Sequence, residues 1–352
     1  MRVGLVVYGR LDRRSGGYVY DRELADRFAA AGDEVEVVSL PERSYPARTL
    51  SNLSRRLRRR LERADLDVLL QDELCHPSLA LLNRRLDVDY PLVSVVHHLA
   101  SEEPRTPWRN RAVGALERAF LRSVDAHVCT NRTTRDAVVA LADGPSVVAR
   151  PGGDRFGDAV PADYVRARAH RGPLRVLFVG NVTPRKGLDT LVEGLARVRG
   201  DWELTVVGDL EVDPAHAAAV RERAVDLGVA DRVSFAGRLG DPDLAAQYAR
   251  SHLLAVPSAY EGYGIVYVEG MGFGLPAVAS TAGGASEVVH DRHNGRLVPP
   301  GDASAVCDVV SPLCRDRARL AEMGLSARRS SLEHPSWDDA AERVRTFVRD
   351  LL

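Results

Sequence analysis

One lysine stands out in a chain that otherwise uses arginine for its basic side chains. Lys186 is the only lysine among 48 lysine and arginine residues, and it lies in the segment "VGNVTPRKGLDTL", residues 179–191. The segment follows a predicted strand over residues 174–180 and precedes a helix predicted to begin near Leu188. A strand-to-helix loop directs backbone N–H groups and side chains beyond the strand end, which suits a phosphate group. The alternative is that codon bias left one lysine by accident.

Two glutamates separated by seven residues form the second candidate site. Glu261 and Glu269 lie in "SAYEGYGIVYVEGMGFGLPAVAS", residues 258–280. Glu261 falls in a glycine-rich turn after a predicted strand. A helix predicted to begin near Ile265 places Glu269 about one turn in, facing back toward the same strand end. Two carboxylates there can accept hydrogen bonds from sugar hydroxyls. The alternative is one acid against the helix dipole and a second glutamate facing solvent.

Short β-branched runs alternate with segments of helical periodicity along the chain, which predicts parallel, doubly wound α/β sheets. The predicted strands cover residues 2–8, 34–40, 67–71, 92–97, 126–130, 146–150, 174–180, 203–208, 232–237, 253–258 and 276–280. The pattern breaks at the proline- and glycine-rich segment 151–164, which indicates a linker. We therefore expect a Rossmann-like N-terminal domain over residues 1–155 and a second one over residues 156–335. A C-terminal helix over residues 336–352 is expected to pack back toward the first domain.

The bulk composition argues against several function classes. The 352 residues are 45% hydrophobic and 28% charged, which is typical of a soluble globular protein of two domains. A net charge of −1 offers no general attraction for nucleic acid. The four cysteines show no CxxC spacing, so we interpret them as reduced thiols of a cytoplasmic protein. The N-terminal "MRVGLVVYGR" is interpreted as a first strand and not as a secretory or transmembrane segment.

These motifs together resemble a known family. The run S-x-x-E-G-Y-G-x-x-x-x-E-x-M-x-x-G-x-P, residues 258–276, resembles the signature of family-four retaining glycosyltransferases of the GT-B fold. "GNVTPRKG" is similar to that family's phosphate-binding loop, and residues 283–302 are similar to a later segment of its donor domain. The resemblance extends over essentially the whole chain. It implies an α/β structure of two Rossmann-like domains that face each other across a cleft.

The resemblance also implies roles for individual residues. Lys186 holds the donor diphosphate and stabilises it as a leaving group, Glu269 accepts hydrogen bonds from the ribose hydroxyls, and Glu261 lies near the donor sugar and the reaction centre. Two glycines near the first strand make room for the phosphates. The turn after Glu261 presents its backbone to the sugar and phosphate. Two residues near the third strand of the second domain contact the base. These further donor-binding residues are Gly16, Gly17, Asn181, Arg185, Gly262, Tyr263, Gly264, Ile265, Arg238 and Leu239.

A histidine and an asparagine leave alternatives open. His97, at the end of the strand predicted over residues 92–97, matches the family's active-site histidine and is the third catalytic candidate beside Glu261 and Lys186. Strand alternation points the adjacent His98 in the opposite direction, so either histidine could face the site, and a packed core role is the alternative for His97. Asn181 stands where many relatives carry arginine. Either Arg185 substitutes for that arginine or Asn181 serves as a neutral donor.

The sequence therefore predicts a retaining, metal-independent glycosyltransferase. It would move a sugar from a nucleotide-sugar, with a UDP-sugar favoured, to a hydroxyl group of a glycan, a lipid-linked acceptor or a small molecule. No metal and no further cofactor are expected, because no DxD motif is placed as a metal site and "DDA" (338–340) falls in the terminal helix. The alternatives are an epimerase or phosphorylase of the same fold and a noncatalytic nucleotide-sugar-binding module. A dinucleotide oxidoreductase is disfavoured because GxGxxG does not follow the first strand.

A basic amphipathic helix is predicted over residues 48–67. Its leucines, at positions 50, 53, 57 and 61, share one stripe. Arginines occupy much of the remaining surface, namely Arg55, Arg56, Arg58, Arg59, Arg60 and Arg63. Such a helix suits anionic lipid headgroups, so we expect a cytoplasmic protein that can attach to the inner face of the membrane. The alternative is the solvated face of a helix packed on the core.

Overall fold

The computed structural model describes residues 1–13, 15–103, 105–157 and 159–352. The chain forms two compact units: residues 1–151 with 335–352 make unit 1, and residues 152–334 make unit 2. Residue 158, within the predicted linker, lies outside the described residues. None of the described helices combines the length and the hydropathy needed to cross a membrane.

Unit 1 is built on a six-stranded parallel sheet in the order β2-β1-β3-β4-β5-β6. Its strands are β1 (Arg2–Tyr8), β2 (Glu34–Leu40), β3 (Val68–Asp72), β4 (Leu92–Val96), β5 (Ala126–Cys129) and β6 (Ser146–Val148). Its first helices are α1 (Gly16–Ala30), α2 (Tyr45–Arg48), α3 (Arg55–Glu62), α4 (His76–Leu79), α5 (Pro107–Leu121) and α6 (Arg132–Val139). The central strands β3, β4 and β5 are buried along their whole length, as expected for a parallel sheet covered on both faces.

Unit 2 repeats this architecture with a parallel sheet in the order β12-β11-β10-β7-β8-β9. Its strands are β7 (Leu174–Val179), β8 (Trp202–Val207), β9 (Val233–Gly237), β10 (Leu253–Val256), β11 (Ala277–Ser280) and β12 (Gly295–Val298). Its helices are α7 (Ala162–Ala169), α8 (Leu188–Leu195), α9 (Pro214–Asp226), α10 (Asp241–Arg250), α11 (Ile265–Gly272), α12 (Ala303–Arg315) and α13 (Arg317–Leu332). The α/β class with two doubly wound sheets, predicted from the alternation of elements, is confirmed.

The last helix, α14 (Trp337–Arg349), belongs to unit 1 although its sequence follows unit 2. Ser336 caps it in a reciprocal capping box with Asp339, which satisfies two backbone donors at its start. Trp337 is fully buried and its ring meets that of Tyr20 on α1 edge-on, with centroids 5.8 Å apart. Arg345 also pairs with the buried Asp33 at 2.7 Å. These contacts fix the last helix to α1 and to the turn that follows α1.

Two elements differ from the sequence-based expectation. Strand β12 was not predicted, because "GRLV" is four residues long, begins with glycine and is buried only at its ends. Helix α1 begins at Gly16, whereas the apolar periodicity predicts a start at residue 20. Glycine has a low helix propensity, so two glycines in the first turn conceal the true start of the helix.

The prediction of one basic helix over residues 48–67 is wrong. Residues Thr49–Leu53 form a 3₁₀ turn, and Ser54 adopts an extended conformation whose hydroxyl accepts from the Leu57 N–H and so starts α3. The N-cap preference of serine therefore interrupts the apparent periodicity. Leu61 is fully buried, but Leu50 and Leu53 are 59% and 66% exposed, so the four leucines do not form one buried stripe.

Candidate functional site

The strand order of unit 2 predicts where a ligand would bind. From β9 the order runs outward as β9-β8-β7-β10-β11-β12, so the direction of winding reverses between β7 and β10. In open α/β sheets, ligands bind beyond the carboxyl ends of the strands at such a switch point. The loop after β7 carries Lys186, and the loop after β10 carries Glu261. The two strongest sequence candidates are thus brought to one edge of the sheet.

These two loops are joined by backbone contacts. The N–H of Ala259 donates to the carbonyl of Arg185 at 2.7 Å, and the Arg185 guanidinium donates to the carbonyl of Tyr260 at 2.9 Å. Gly187 has a φ of 68°, and an added Cβ would lie 2.2 Å from the carbonyl oxygen of Pro257. Only glycine combines this left-handed backbone with so close an approach. The side chain of Arg185 is thereby used to hold the second loop.

Lys186 and Glu261 form a direct ion pair. The Nζ of Lys186 lies 2.6 Å from Oε2 of Glu261, and the hydroxyl of Ser258 donates to the same oxygen at 3.0 Å. The two charged side chains are only 13% and 9% exposed. Burial alone would raise the pKa of Glu261, but Lys186 and Arg185 together hold that pKa below its ordinary value. The site therefore holds an ionised carboxylate beside a fixed ammonium at the switch point.

The backbone of Glu261 is fixed by the segment that follows β11. Gly284 donates its N–H to the carbonyl of Glu261 at 2.8 Å, and Gly283 pairs with Glu261 in an isolated parallel bridge. An added Cβ at Gly283 would lie 2.1 Å from the Glu261 carbonyl oxygen. The paired glycines of the later segment, residues 283–302, thus permit a close backbone contact that orients Glu261.

Glu269 lies on α11 in a separate polar network. Its Oε1 accepts from Nη1 of Arg155 at 2.8 Å, and its Oε2 accepts from the hydroxyl of Tyr248 at 2.9 Å. Arg155 also donates to Asp241 at 2.8 Å, and the Glu269 side chain is only 2% exposed. The network holds this carboxylate rigidly, with one fixed donor on each oxygen. Sequence reasoning expected a ligand to meet Glu269 but did not anticipate these two protein partners.

The remaining candidates of unit 2 surround the two glutamates. Gly264, with a φ of 87°, is the N-cap residue of α11, and an added Cβ there would lie 2.3 Å from the Tyr267 ring. The hydroxyl of Tyr263 lies 3.2 Å from a ring nitrogen of His334. Gly262 lies in the turn before α11, and Ile265 is the first residue of that helix. Both are half-buried.

Three candidates lie at the ends of β7 and β9. Asn181 follows β7 and is half-buried, next to Gly180. Arg238 follows β9 and lies 3.5 Å from Asp209, a weak and exposed ion pair, and Leu239 beside it is half-buried. The grouping of these residues with the Lys186–Glu261 pair stays a prediction of the resemblance.

In unit 1 the structure separates the two adjacent histidines. His97 follows β4 and is 8% exposed, and its ring meets Tyr20 edge-on with centroids 5.3 Å apart. Its Nε2 lies 3.3 Å from Oδ1 of Asp21 on α1 and 3.9 Å from Oδ1 of Asp72 at the end of β3. His98 instead lies 2.8 Å from Glu103. The two rings therefore have different surroundings, although both residues follow the end of β4 and strand alternation does not orient them.

Helix α1 begins at Gly16, and its second residue, Gly17, has a steric role. An added Cβ at Gly17 would lie 2.9 Å from Cδ2 of His97. Glycine is therefore required for the His97 ring to lie against the first turn of α1. The strand order of unit 1 reverses between β1 and β3, and the loops after these strands meet at this point of the sheet.

Comparisons with known proteins agree with this architecture. Residues 6–153 match the family description "Glycosyl transferase 4-like domain", and residues 173–316 match "Glycosyl transferases group 1". The chain belongs to the family-four glycosyltransferases. Its two matched regions correspond to the two sheets and to the loops that carry His97 in unit 1 and Lys186 with Glu261 in unit 2.

Curated relatives of this family-four chain are about one-third identical to it over the aligned residues. A D-inositol 3-phosphate glycosyltransferase of Mycobacteroides abscessus is 32% identical over 72% of this chain and 59% of the relative. A GDP-mannose-dependent alpha-(1-6)-phosphatidylinositol monomannoside mannosyltransferase of Mycobacterium tuberculosis is 33% identical over 49% of this chain and 47% of the relative. The alignments thus span about half to three-fifths of these relatives.

Solved structures share the GT-B fold. A sucrose-phosphate synthase from Thermosynechococcus elongatus superposes with a TM-score of 0.85 at 21% identity, covering 99% of this chain and 98% of the other. HepE of Anabaena, solved in complex with UDP and glucose, superposes with a TM-score of 0.81 at 18% identity, covering 99% of this chain and all of the other. At such low identity these similarities establish the fold.

Sequence reasoning missed four residues that the structure adds to the candidate sites. Asp72 had a visible signal, because a charged residue ends a short strand that begins with the apolar run 68–70. Asp21 had a weaker one, since it lies on the buried face of α1 between Tyr20 and Leu24. Arg155 and Tyr248 had none, because only the tertiary structure brings residues from the linker and from α10 to Glu269.

Proposed function

We propose that the chain is a retaining, metal-independent glycosyltransferase whose unit 2 binds a nucleotide-sugar donor. The observation that carries the proposal is the Lys186–Glu261 pair, 2.6 Å apart at the switch point between β7 and β10. A fixed ammonium suits a diphosphate, and a carboxylate suits a sugar hydroxyl. Both side chains lie where the fold class binds its ligands.

The chemistry follows from the charge that develops in the reaction. The bond between sugar and diphosphate breaks through an oxocarbenium-like state while negative charge accumulates on the departing diphosphate. Lys186 has an ammonium group with three N–H donors, and its 2.6 Å contact with Glu261 fixes that ammonium where the phosphate oxygens would lie. Preorganised donors of this kind lower a barrier by about 2.7–4 kcal/mol each. In this scheme side-chain cations supply the stabilisation that a metal ion gives in other transferases.

Glu269 is proposed to accept hydrogen bonds from the ribose hydroxyls. An ionised carboxylate has about four acceptor sites, and Arg155 and Tyr248 use one on each oxygen. The two fixed donors would hold the carboxylate in place before the nucleotide arrives. This preorganisation lowers the entropic cost of binding.

The donor and acceptor are proposed by class. A UDP-sugar is our favoured donor, and a hydroxyl group of a glycan, a lipid-linked molecule or a small molecule is the acceptor. Names of the curated relatives specify GDP-mannose for one enzyme and inositol-containing acceptors for several. GDP-mannose and inositol phosphates are therefore the first competitors to test against the favoured class.

The proposal is tested by binding and hydrolysis together. We expect UDP, GDP or ADP to raise the melting temperature, since a ligand at 100 times its Kd stabilises a protein by about 2.7 kcal/mol. The matching nucleotide-sugar should then release free sugar slowly, at a rate that EDTA does not change. The transferred sugar should keep its anomeric configuration by NMR. Binding without any sugar release would identify a binding module, and loss of the rate in EDTA would contradict metal independence.

We further propose that unit 1 contacts an anionic surface through its exposed arginines. The basic surface comprises Arg43, Arg55, Arg56, Arg58, Arg59, Arg60 and Arg63, all exposed. A groove of about 640 Å³ lies between α3, the preceding 3₁₀ turn and the end of β2, and Arg43, Arg56 and Arg60 line it together with Leu50 and Leu57. The 59% exposure of Leu50 and the 66% exposure of Leu53 place apolar side chains beside the cations, as membrane-surface segments do.

Four substitutions test this surface, namely Arg56→Gln, Arg59→Gln, Arg60→Gln and Arg63→Gln together. We expect strongly reduced sedimentation with anionic vesicles, because each basic residue near such a surface contributes about 1 kcal/mol. Donor hydrolysis should be unchanged. The matched control removes four exposed arginines of unit 2, namely Arg199, Arg221, Arg315 and Arg319. An equal loss of sedimentation in the control variant would mean that net charge alone explains the effect. Failure of the parent chain to sediment with the vesicles would contradict the proposal.

A further inference from the structure

A cluster of buried acids lies behind His97 in unit 1. Asp21 and Asp72 have no exposed surface, and Glu73 is 3% exposed. Both oxygens of Asp21, Oδ2 of Asp72 and Nε2 of His97 are enclosed without a hydrogen-bond partner. Among the described residues, neither aspartate forms an ion pair with a lysine or an arginine. Unpaired buried charges of this kind are costly, so something must neutralise the cluster.

Protons are the simplest means of neutralisation. Burial raises the pKa of Asp21, and burial together with the charge of Asp21 raises the pKa of Asp72. Burial also raises the pKa of Glu73 and lowers that of His97, which favours a neutral acid and a neutral imidazole. Two carboxylates in contact cannot both ionise at low cost, and one shared proton relieves the repulsion. Burial and the charges of the same acids raise the pKa of Cys75, which keeps its side chain a neutral thiol.

We propose that Asp21 and Asp72 share one proton and orient His97, so that Nε2 carries the ring proton and Nδ1 is left as an acceptor for a hydroxyl group of the sugar substrate. The geometry supports this assignment, because Nε2 is the enclosed nitrogen and lies 3.3 Å from Asp21 and 3.9 Å from Asp72. The tautomer of a histidine is set by the hydrogen bond of its buried nitrogen. Asp21 and Asp72 act through His97 and are positioning residues. The substrate part of the inference rests on the proposed function.

Substitutions of Asp21 and Asp72 distinguish a role in sharing a proton from a role in packing. Oδ1 of Asp72 accepts from the Leu74 N–H at 2.9 Å, so in Asp72→Asn the amide oxygen keeps that bond and the NH₂ faces Asp21 in place of the shared proton. Asp21→Asn can likewise accept from His97 and donate to Asp72. We expect both asparagine variants to keep most of kcat. Asp21→Ala removes the acceptor and should lower kcat at least tenfold without changing the affinity for the free nucleotide.

A double variant tests whether the loss of kcat in Asp21→Ala depends on His97. If Asp21 acts through the histidine, Asp21→Ala should cost nothing further in a His97→Ala background. Equal losses in both backgrounds, or a drop in melting temperature with unchanged kcat, would overturn the proposal in favour of a structural role. Loss of activity in both asparagine variants would overturn it as well, because each retains one carboxylate and one neutral partner.

The tautomer can be measured without any activity. In the full chain labelled with ¹⁵N-histidine, and with His97→Gln used to assign the signals, we expect His97 to be neutral with its proton on Nε2 at pH 7. A proton on Nδ1, or a charged imidazole, would overturn the proposal even if Asp21→Ala fails to fold. If no donor is hydrolysed but this tautomer is found, the proposed function fails and the proton arrangement stands.

A bound cation is the competing explanation. The ligand atoms of Asp21, Asp72 and His97 lie within 4.8 Å of one another, so they could hold a metal ion. We expect neither Mn²⁺ nor Zn²⁺ to bind stoichiometrically to the EDTA-treated chain at this cluster. One ion bound per chain, and lost in Asp21→Asn, would replace the shared proton with a metal site.

Discussion

Lys186→Ala is expected to lower kcat/KM about a hundredfold, which is the typical cost of removing one preorganised donor to developing charge. The ammonium lies 2.6 Å from Glu261 at the switch point of unit 2, where it would meet the donor diphosphate. Lys186→Arg keeps the charge and is the sharper test. We expect it to fold normally and to lose at least tenfold, about 1.4 kcal/mol of transition-state stabilisation.

The physical reason is the narrow space around the lysine. Its aliphatic chain passes over Gly180, where an added Cβ would lie 3.4 Å from Cε, and the neighbouring Arg185 already bonds to Tyr260. A guanidinium is broader and planar, so it can pair with Glu261 but cannot sit compactly among phosphate oxygens. Measurement needs one donor, a saturating acceptor and melting curves for every variant.

A control distinguishes phosphate binding from the ion pair itself. Ser258→Ala removes another partner of Glu261, a hydroxyl at 3.0 Å, and leaves the cation untouched. If disturbance of Glu261 explains the loss in Lys186→Ala, the serine variant should show a comparable loss. A kcat/KM equal to that of the parent chain in Lys186→Arg would mean that the reaction does not require a lysine at this position. An ion pair or codon bias would then be sufficient to explain why a lysine is present.

Changing each of the two glutamates to glutamine should affect different quantities, namely nucleotide affinity for Glu269 and turnover for Glu261. Glu269→Gln is expected to raise the Kd of the free nucleoside diphosphate at least tenfold, because a hydrogen bond to a charged group contributes about 1.5–3 kcal/mol. Glu261→Gln should lower turnover at least tenfold and leave that Kd unchanged or lower, since Lys186 loses its competing carboxylate. Titration calorimetry and steady-state kinetics measure the two effects separately.

Arg155→Gln is the matched control for Glu269. It breaks the same 2.8 Å ion pair but keeps the carboxylate and its bond from Tyr248. We expect a lower melting temperature, because it leaves a buried carboxylate without its cation. Its nucleotide affinity should fall less than that of Glu269→Gln. Equal losses of nucleotide affinity in Arg155→Gln and Glu269→Gln would mean that the hydrogen-bond network as a whole, and not the Glu269 carboxylate, determines the affinity. An unchanged Kd in Glu269→Gln would refute the proposal that Glu269 binds the ribose.

Local patterns in the sequence predicted the positions of most strands and of the two loops that carry Lys186 and Glu261. Strands β1 and β2 were predicted at their observed bounds, and α11 begins at Ile265 as expected. These features depend on short apolar runs and on glycines next to strand ends, which a single segment displays by itself. The break at Ser54 was missed because capping competed with a leucine periodicity that looked continuous.

By itself, the sequence determined the α/β class, the two-part organisation and the candidacy of Lys186, Glu261 and His97. Only the tertiary structure decided that β7 and β10 are neighbours and bring Lys186 to Glu261, and that Arg155 holds Glu269. It alone also placed Asp21 and Asp72 behind His97. The physical reason is that periodicity records which face of an element is buried, whereas strand order and buried polar contacts join residues distant in the chain and depend on the packing of the whole sheet.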